Sequence, residues 1–149
     1  MQNARQCLLL VVEDDPYDAK LIERAFRKAR IVNPLRFVQD GESAIDYFAG
    51  NPPYEDRSAH PVPELLLLDL KLPRKDGFEV LRWLRAHEVY RRLPVVVLTS
   101  SSETNDINRA YDLGANSYLV KPVGNDQLVE MLRSLELYWL CFNTSPVME

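Results

Sequence analysis

Five short apolar runs punctuate the chain, and stretches of helical period fill the gaps between them. The runs are Leu8–Val12, Leu35–Val38, Leu65–Leu68, Val95–Leu98 and Tyr118–Val120. The first, third and fourth are continuously apolar rather than alternating, which predicts strands covered on both faces, as in a parallel sheet. Between them, positions near a 3.6-residue spacing carry Ile22, Ala25, Phe26 and Ala29, then Ala44, Ile45 and Phe48, then Phe78, Leu81 and Leu84. Two further sets follow: Ile107, Ala110, Tyr111 and Gly114, and a last helix from Asp126 through Leu128, Leu132, Leu135 and Trp139. Asp15-Pro16 predicts an N-cap and first turn for the first helix. Strand–helix alternation repeated five times predicts an α/β fold, a doubly wound five-stranded parallel sheet with helices on both faces. One domain is expected over 1–149, with a core of about 7–140 and a short tail at 143–149. Ala49 to Pro63 holds four of the ten prolines and reads as one long surface loop.

Polar residues fall where chemistry would collect. Glu13 and Asp14 follow the first run, Asp69 the third, Thr99 the fourth and Lys121 the fifth. In an open parallel sheet the carboxyl ends of the strands line one edge, where ligands bind. If strands 1, 3, 4 and 5 are neighbours, three carboxylates, a hydroxyl and an ammonium meet in one pocket. Two like charges about 4 Å apart repel by roughly 4 kcal/mol at an effective dielectric near 20. Such a cluster takes up protons or binds a cation, and an all-oxygen donor set favours a hard ion such as Mg²⁺. A nearby Lys and hydroxyl are what a transferred phosphoryl group needs. The expected chemistry is phosphoryl transfer onto a carboxylate, with Asp69 as nucleophile.

Composition narrows the field. Eighteen basic against 22 acidic side chains give a net charge of −4, which argues against non-specific nucleic-acid or anionic-membrane binding. No apolar run reaches the roughly 20 residues of a membrane span, and the opening residues are too polar for a signal peptide. Two cysteines, Cys7 and Cys141, make no disulfide framework and read as reduced thiols of a cytoplasmic protein.

These residues carry a resemblance. Val11-Val12-Glu13-Asp14-Asp15, Leu67-Leu68-Asp69-Leu70-Lys71-Leu72-Pro73 with Asp76-Gly77, Leu98-Thr99-Ser100, and Gly114-Ala115 with Tyr118-Leu119-Val120-Lys121-Pro122 stand in register. The sequence resembles a receiver domain of the two-component response regulators. That resemblance implies a flavodoxin-like strand order 2-1-3-4-5 and phosphoryl acceptance on Asp69. It implies Mg²⁺ on Asp14, Asp69 and the backbone carbonyl of Lys71, with Glu13 reached through water. It gives Thr99 a hydrogen bond to the phosphoryl oxygen, Lys121 an ion pair with it, and Tyr118 the part of an aromatic switch that follows Thr99 inward. A cis Lys121–Pro122 bond is expected, since before proline cis costs only about 0.5–1 kcal/mol. The proline-rich loop, Lys71-Leu72-Pro73 and the apolar last helix are similar to stand-alone regulators linked to bacterial phytochrome kinases. A sensor histidine kinase is the implied phosphodonor, and a homodimer through helix 4, strand 5 and helix 5 the implied assembly.

Plainer readings apply elsewhere. Asp15 is expected to be only a cap, Thr99 and the serines after it good N-cap chemistry, and His60 and His87 no ligands. Arg74, Lys75, Arg82, Arg85, Arg91 and Arg92 read as a solvated face, and Gly41-Glu42 and Asp76-Gly77 as turns. Leu137-Tyr138-Trp139-Leu140-Cys141-Phe142 is apolar all round, so one side should meet another surface, with Leu137, Tyr138, Trp139 and Phe142 as the interface. Three other functions compete with the signalling module. A phosphate sink or relay uses the same residues. An aspartyl phosphatase of the haloacid-dehalogenase type needs a second Asp where Lys71 stands. A phosphate-independent pseudo-receiver loses an acidic or lysine position, and none is lost here. The residues left after Lys121-Pro122 are expected to make no separate output domain.

Overall fold

The computed structural model describes residues 7–148. Strands β1 (Leu9–Val12), β2 (Leu35–Val38), β3 (Leu65–Leu68), β4 (Val95–Thr99) and β5 (Ser117–Val120) form one parallel sheet in the order β2-β1-β3-β4-β5. Between and after them run α1 (Pro16–Lys28), α2 (Gly41–Ala49), α3 (Gly77–Ala86), α4 (Thr104–Asp112) and α5 (Asn125–Leu135). Asp15 caps α1 by accepting from the Tyr17 amide, with Pro16 at the helix start, as the sequence predicts. Asp40 caps α2, and Asp76 with Glu79 closes a reciprocal capping box on α3. Gly41 and Gly77, expected in turns, are therefore the first residues of their helices.

Alternation along each strand divides the core into two layers. Leu10, Val12, Leu66, Leu68, Val95 and Val97 face α2, α3 and α4, where Ala44, Phe48, Phe78, Leu81 and Leu84 meet them. Leu9, Val11, Leu65, Leu67, Val96 and Leu98 face the other way onto Ile22 and Phe26 of α1 and Leu128, Leu132 and Leu135 of α5. A continuous leucine run is thus the consequence of two covered faces. The register sets Val12 beside both Val38 and Leu68, Leu68 beside Val97, and Thr99 beside Val120, so β4 and β5 run past the ends of β1, β2 and β3 at this edge.

Several expectations change. On α4 only Ala110 is buried; Tyr111 is exposed, because this helix covers the sheet with little more than one side chain. After Leu135 the chain widens into a π-helical segment, Glu136–Phe142, and the wider turn brings Leu140, five residues on, into the core beside α1 and α5. Trp139 packs half-buried against the same layer, while Leu137, Tyr138 and Phe142 stay exposed. Lys121–Pro122 is trans, and among the described residues the cis bond is Pro52–Pro53. The two isomers differ so little before proline that the surrounding backbone decides. Arg85 is no solvated side chain: its guanidinium donates to the carbonyls of Gly114, Tyr90 and Arg91 and to Asn116 Oδ1, tying α3 to the β4 and β5 connections.

The long loop is ordered by similar means. Arg57 donates to the carbonyls of Tyr47, Phe48 and His60, and the Tyr47 hydroxyl donates to the Pro61 carbonyl. His60 packs edge-on to Tyr47 and Tyr54, and His87 lies against Trp83 and Tyr90; neither stands near the strand ends. Among the described residues no helix is long and apolar enough to cross a membrane.

Candidate functional site

Three ladder hydrogen bonds continue one residue past the strands and fix the backbone of the residues that matter. The amide of Glu13 donates to Val38, that of Asp69 to Val12, and that of Lys121 to Thr99. Glu13, Asp69 and Lys121 are thereby pinned at the sheet edge before their side chains make any contact. Gly77 completes the arrangement from α3. A Cβ there would lie 2.4 Å from the Asp69 carbonyl oxygen, so only glycine lets the helix start so close to the acidic residue.

The side chains then converge. Thr99 Oγ1 donates to Asp69 Oδ1 at 2.8 Å, and the Lys71 amide approaches the same oxygen at 3.3 Å. Lys121 Nζ donates to Asp69 Oδ2 at 3.0 Å, to Glu13 Oε1 at 2.5 Å and to Asp18 Oδ2 at 3.2 Å. Glu13 Oε2 also accepts from the Asp15 amide. The side chains of Glu13, Asp69 and Lys121 are 2%, 8% and 16% exposed, so the pocket is screened yet open at its rim. Burial pushes the Glu13 carboxyl up to about 7, against the opposing pull of Lys121. Burial also works against the charge on Lys121, but its hydrogen bond to Glu13 and the charge of Asp69 outweigh it and hold the ammonium above its ordinary range.

Glu13, Asp14 and Asp69 each bring a carboxylate oxygen within 4.8 Å of the others. With exposed Asp14 at the rim and no nitrogen or sulfur in the set, the donors fit a hard divalent cation. Beyond the acid cluster, the Tyr118 hydroxyl donates to the Ser101 carbonyl at 2.9 Å, across the loop that follows Thr99. Ser101 in turn donates to Asp106 and accepts from the Glu103 amide, so the serines precede α4 rather than cap it through Thr99.

The family model of the response regulator receiver domain matches residues 9–133. The chain belongs to that family. The receiver is 36% identical over 139 residues to Response regulator Rcp1 of Synechocystis sp., covering 93% of this chain and 92% of the relative. The Mn²⁺-bound crystal form of Rcp1 superposes with a TM-score of 0.84, at 35% identity over 95% of this chain and 99% of the other. Response regulator RPA3017, of red light signaling in R. palustris, is 41% identical with a TM-score of 0.90 over 95% of this chain and 99% of its own. The phosphorylated cyanobacterial phytochrome response regulator RcpA is 35% identical with a TM-score of 0.87 over the same shares. The receiver is thus related to phytochrome response regulators.

Its geometry brings together Glu13, Asp14, Asp69, Thr99 and Lys121 as expected from their places after the strands. Tyr118 lies half-buried one loop away. Leu137, Tyr138, Trp139 and Phe142 lie beyond α5, outside the acid pocket. The sequence reading missed Asp18, the third carboxylate on Lys121. A signal existed: Asp18 stands four residues after Asp14, on the first turn of a helix opened by Pro16.

Proposed function

We propose that this receiver accepts a phosphoryl group on Asp69 from a sensor histidine kinase. The observation that carries this reading is the Asp69 carboxylate, bonded by Thr99 on one oxygen and Lys121 on the other, at the edge of three converging strands. One Asp69 carboxylate oxygen, released from its hydrogen bond, attacks phosphorus, the bond from phosphorus to the donor's imidazole nitrogen breaks with its electron pair leaving on that nitrogen, and an acyl phosphate forms. Lys121 and Thr99 then meet the new anionic oxygens with an ammonium and a hydroxyl donor. Mg²⁺ held by Asp14, Asp69 and the Lys71 carbonyl, with Glu13 reached through water, would neutralise phosphoryl charge during transfer. The only turnover expected is of the chain's own acyl phosphate.

The readout in this proposal is a protein contact. Thr99 hydrogen-bonded to Asp69 and Tyr118 tied to Ser101 support a coupled pair through which phosphate at Asp69 reaches the α4–β5–α5 face. Exposed Leu137, Tyr138 and Phe142, with half-buried Trp139 behind them, support a homodimer involving that face. The relation to phytochrome regulators supports a phytochrome-type kinase as donor. Cys7 and Cys141, unlinked by a disulfide, suit a reducing cytoplasm. A phosphate relay would use the same acceptor.

The test is labelling with acetyl phosphate and Mg²⁺, followed by intact-mass measurement. The wild type should gain one phosphoryl group and Asp69→Asn none. Full labelling of Asp69→Asn would remove the acceptor assignment.

A further inference from the structure

We propose that Asp18 is a positioning residue that holds the Lys121 ammonium for the acid pocket and thereby raises its affinity for a divalent cation. The inference rests on the cation-binding reading given above.

An ammonium has three N–H donors, and each of those on Lys121 goes to a different carboxylate: Glu13, Asp69 and Asp18. The first two belong to the group of carboxylates that can close on a cation; Asp18 is not in that group. A cation entering the pocket therefore draws on the same two side chains that Lys121 uses. Two positive charges then compete for Glu13 and Asp69.

Asp18 relieves that competition. It projects from the first turn of α1, with its side chain 34% exposed, and offers Lys121 an acceptor whose charge the cation does not claim. The ammonium keeps a partner as Glu13 and Asp69 turn to the cation. Without the Asp18 charge, Lys121 has only those two carboxylates and holds them more tightly. Loss of a nearby negative charge pulls in the same direction, and a double-mutant comparison separates the two effects.

Mg²⁺ binding by isothermal titration calorimetry provides the test, on wild type, D18N, D18E, K121M and D18N/K121M. A partly exposed ion pair predicts that D18N weakens Mg²⁺ by about two- to fivefold. D18E keeps the charge and should bind within about twofold of wild type. In the K121M background the effect of D18N should shrink by at least half, because the ammonium it positions is gone. Equal loss in both backgrounds would reduce Asp18 to a distant charge and overturn the proposal, as would unchanged or tighter binding by D18N. If D18N gives a poor thermal melt, D18S in the wild-type and K121M backgrounds supplies the same comparison, and equal loss in both would equally overturn it. Wild type that binds no Mg²⁺ would overturn the cation site itself, and the proposal with it. Wild-type binding with an indifferent D18N removes the proposal alone.

Discussion

Replacing Lys121 by Met leaves Glu13 and Asp69 as neighbouring carboxylates without their cation. Removing one partner of a buried pair costs about 3–5 kcal/mol when the other stays charged. Here the survivor with the stronger burial, Glu13, can escape by taking a proton. Its carboxyl already stands near 7 against an ordinary value of 4.5, because burial outweighs the pull of Lys121. The folded chain thus keeps this proton to higher pH than the unfolded chain, and stability falls as pH rises through that window. Deleting Lys121 removes the opposing pull and extends the window upward. Below about 7 both proteins hold Glu13 protonated when folded, so the extra loss in Lys121→Met develops above it. Urea unfolding should show the penalty growing by about 2 kcal/mol between about pH 6.5 and pH 8.5. Millimolar Mg²⁺ should recover much of the loss at the higher pH, since a bound cation stabilises the folded state by mass action. A penalty independent of both pH and Mg²⁺ would show that Lys121 contributes packing rather than charge, and the account of the pocket would fall.

Two other changes probe the scaffold and the exposed face. Gly77→Ala places a methyl group against the Asp69 carbonyl, so it should lower stability by about 1–3 kcal/mol and cut acetyl phosphate labelling; urea unfolding with intact-mass analysis checks both. Normal stability and labelling together would mean that α3 can retreat freely. Tyr138 is 56% and Phe142 77% exposed, so Tyr138→Glu with Phe142→Glu should leave the melting temperature within a few degrees. The same double variant should shift sedimentation toward monomer, and an unchanged profile would remove these side chains from the interface. Trp139 is the poorer choice for this purpose, because it packs on the core beside Leu140.

Much of this protein was legible along the chain. Apolar runs without alternation can satisfy both faces only inside a covered parallel sheet, so the sequence determined the strands, the four crossovers and the edge where Glu13, Asp14, Asp69, Thr99 and Lys121 meet. Asp15-Pro16 likewise carried its cap in two adjacent residues. Other features depended on contacts between distant segments, which no local pattern encodes. The tertiary structure alone decided that Arg85, read as a surface charge, would bind four acceptors 5 to 31 residues away. It alone widened the last helix so that Leu140 turned inward and Phe142 outward, a choice between burial patterns that an all-round apolar stretch leaves equal. And it alone set Asp18 against Lys121, because the first turn of α1 comes to lie beside the end of β5 and brings together two charges 103 residues apart.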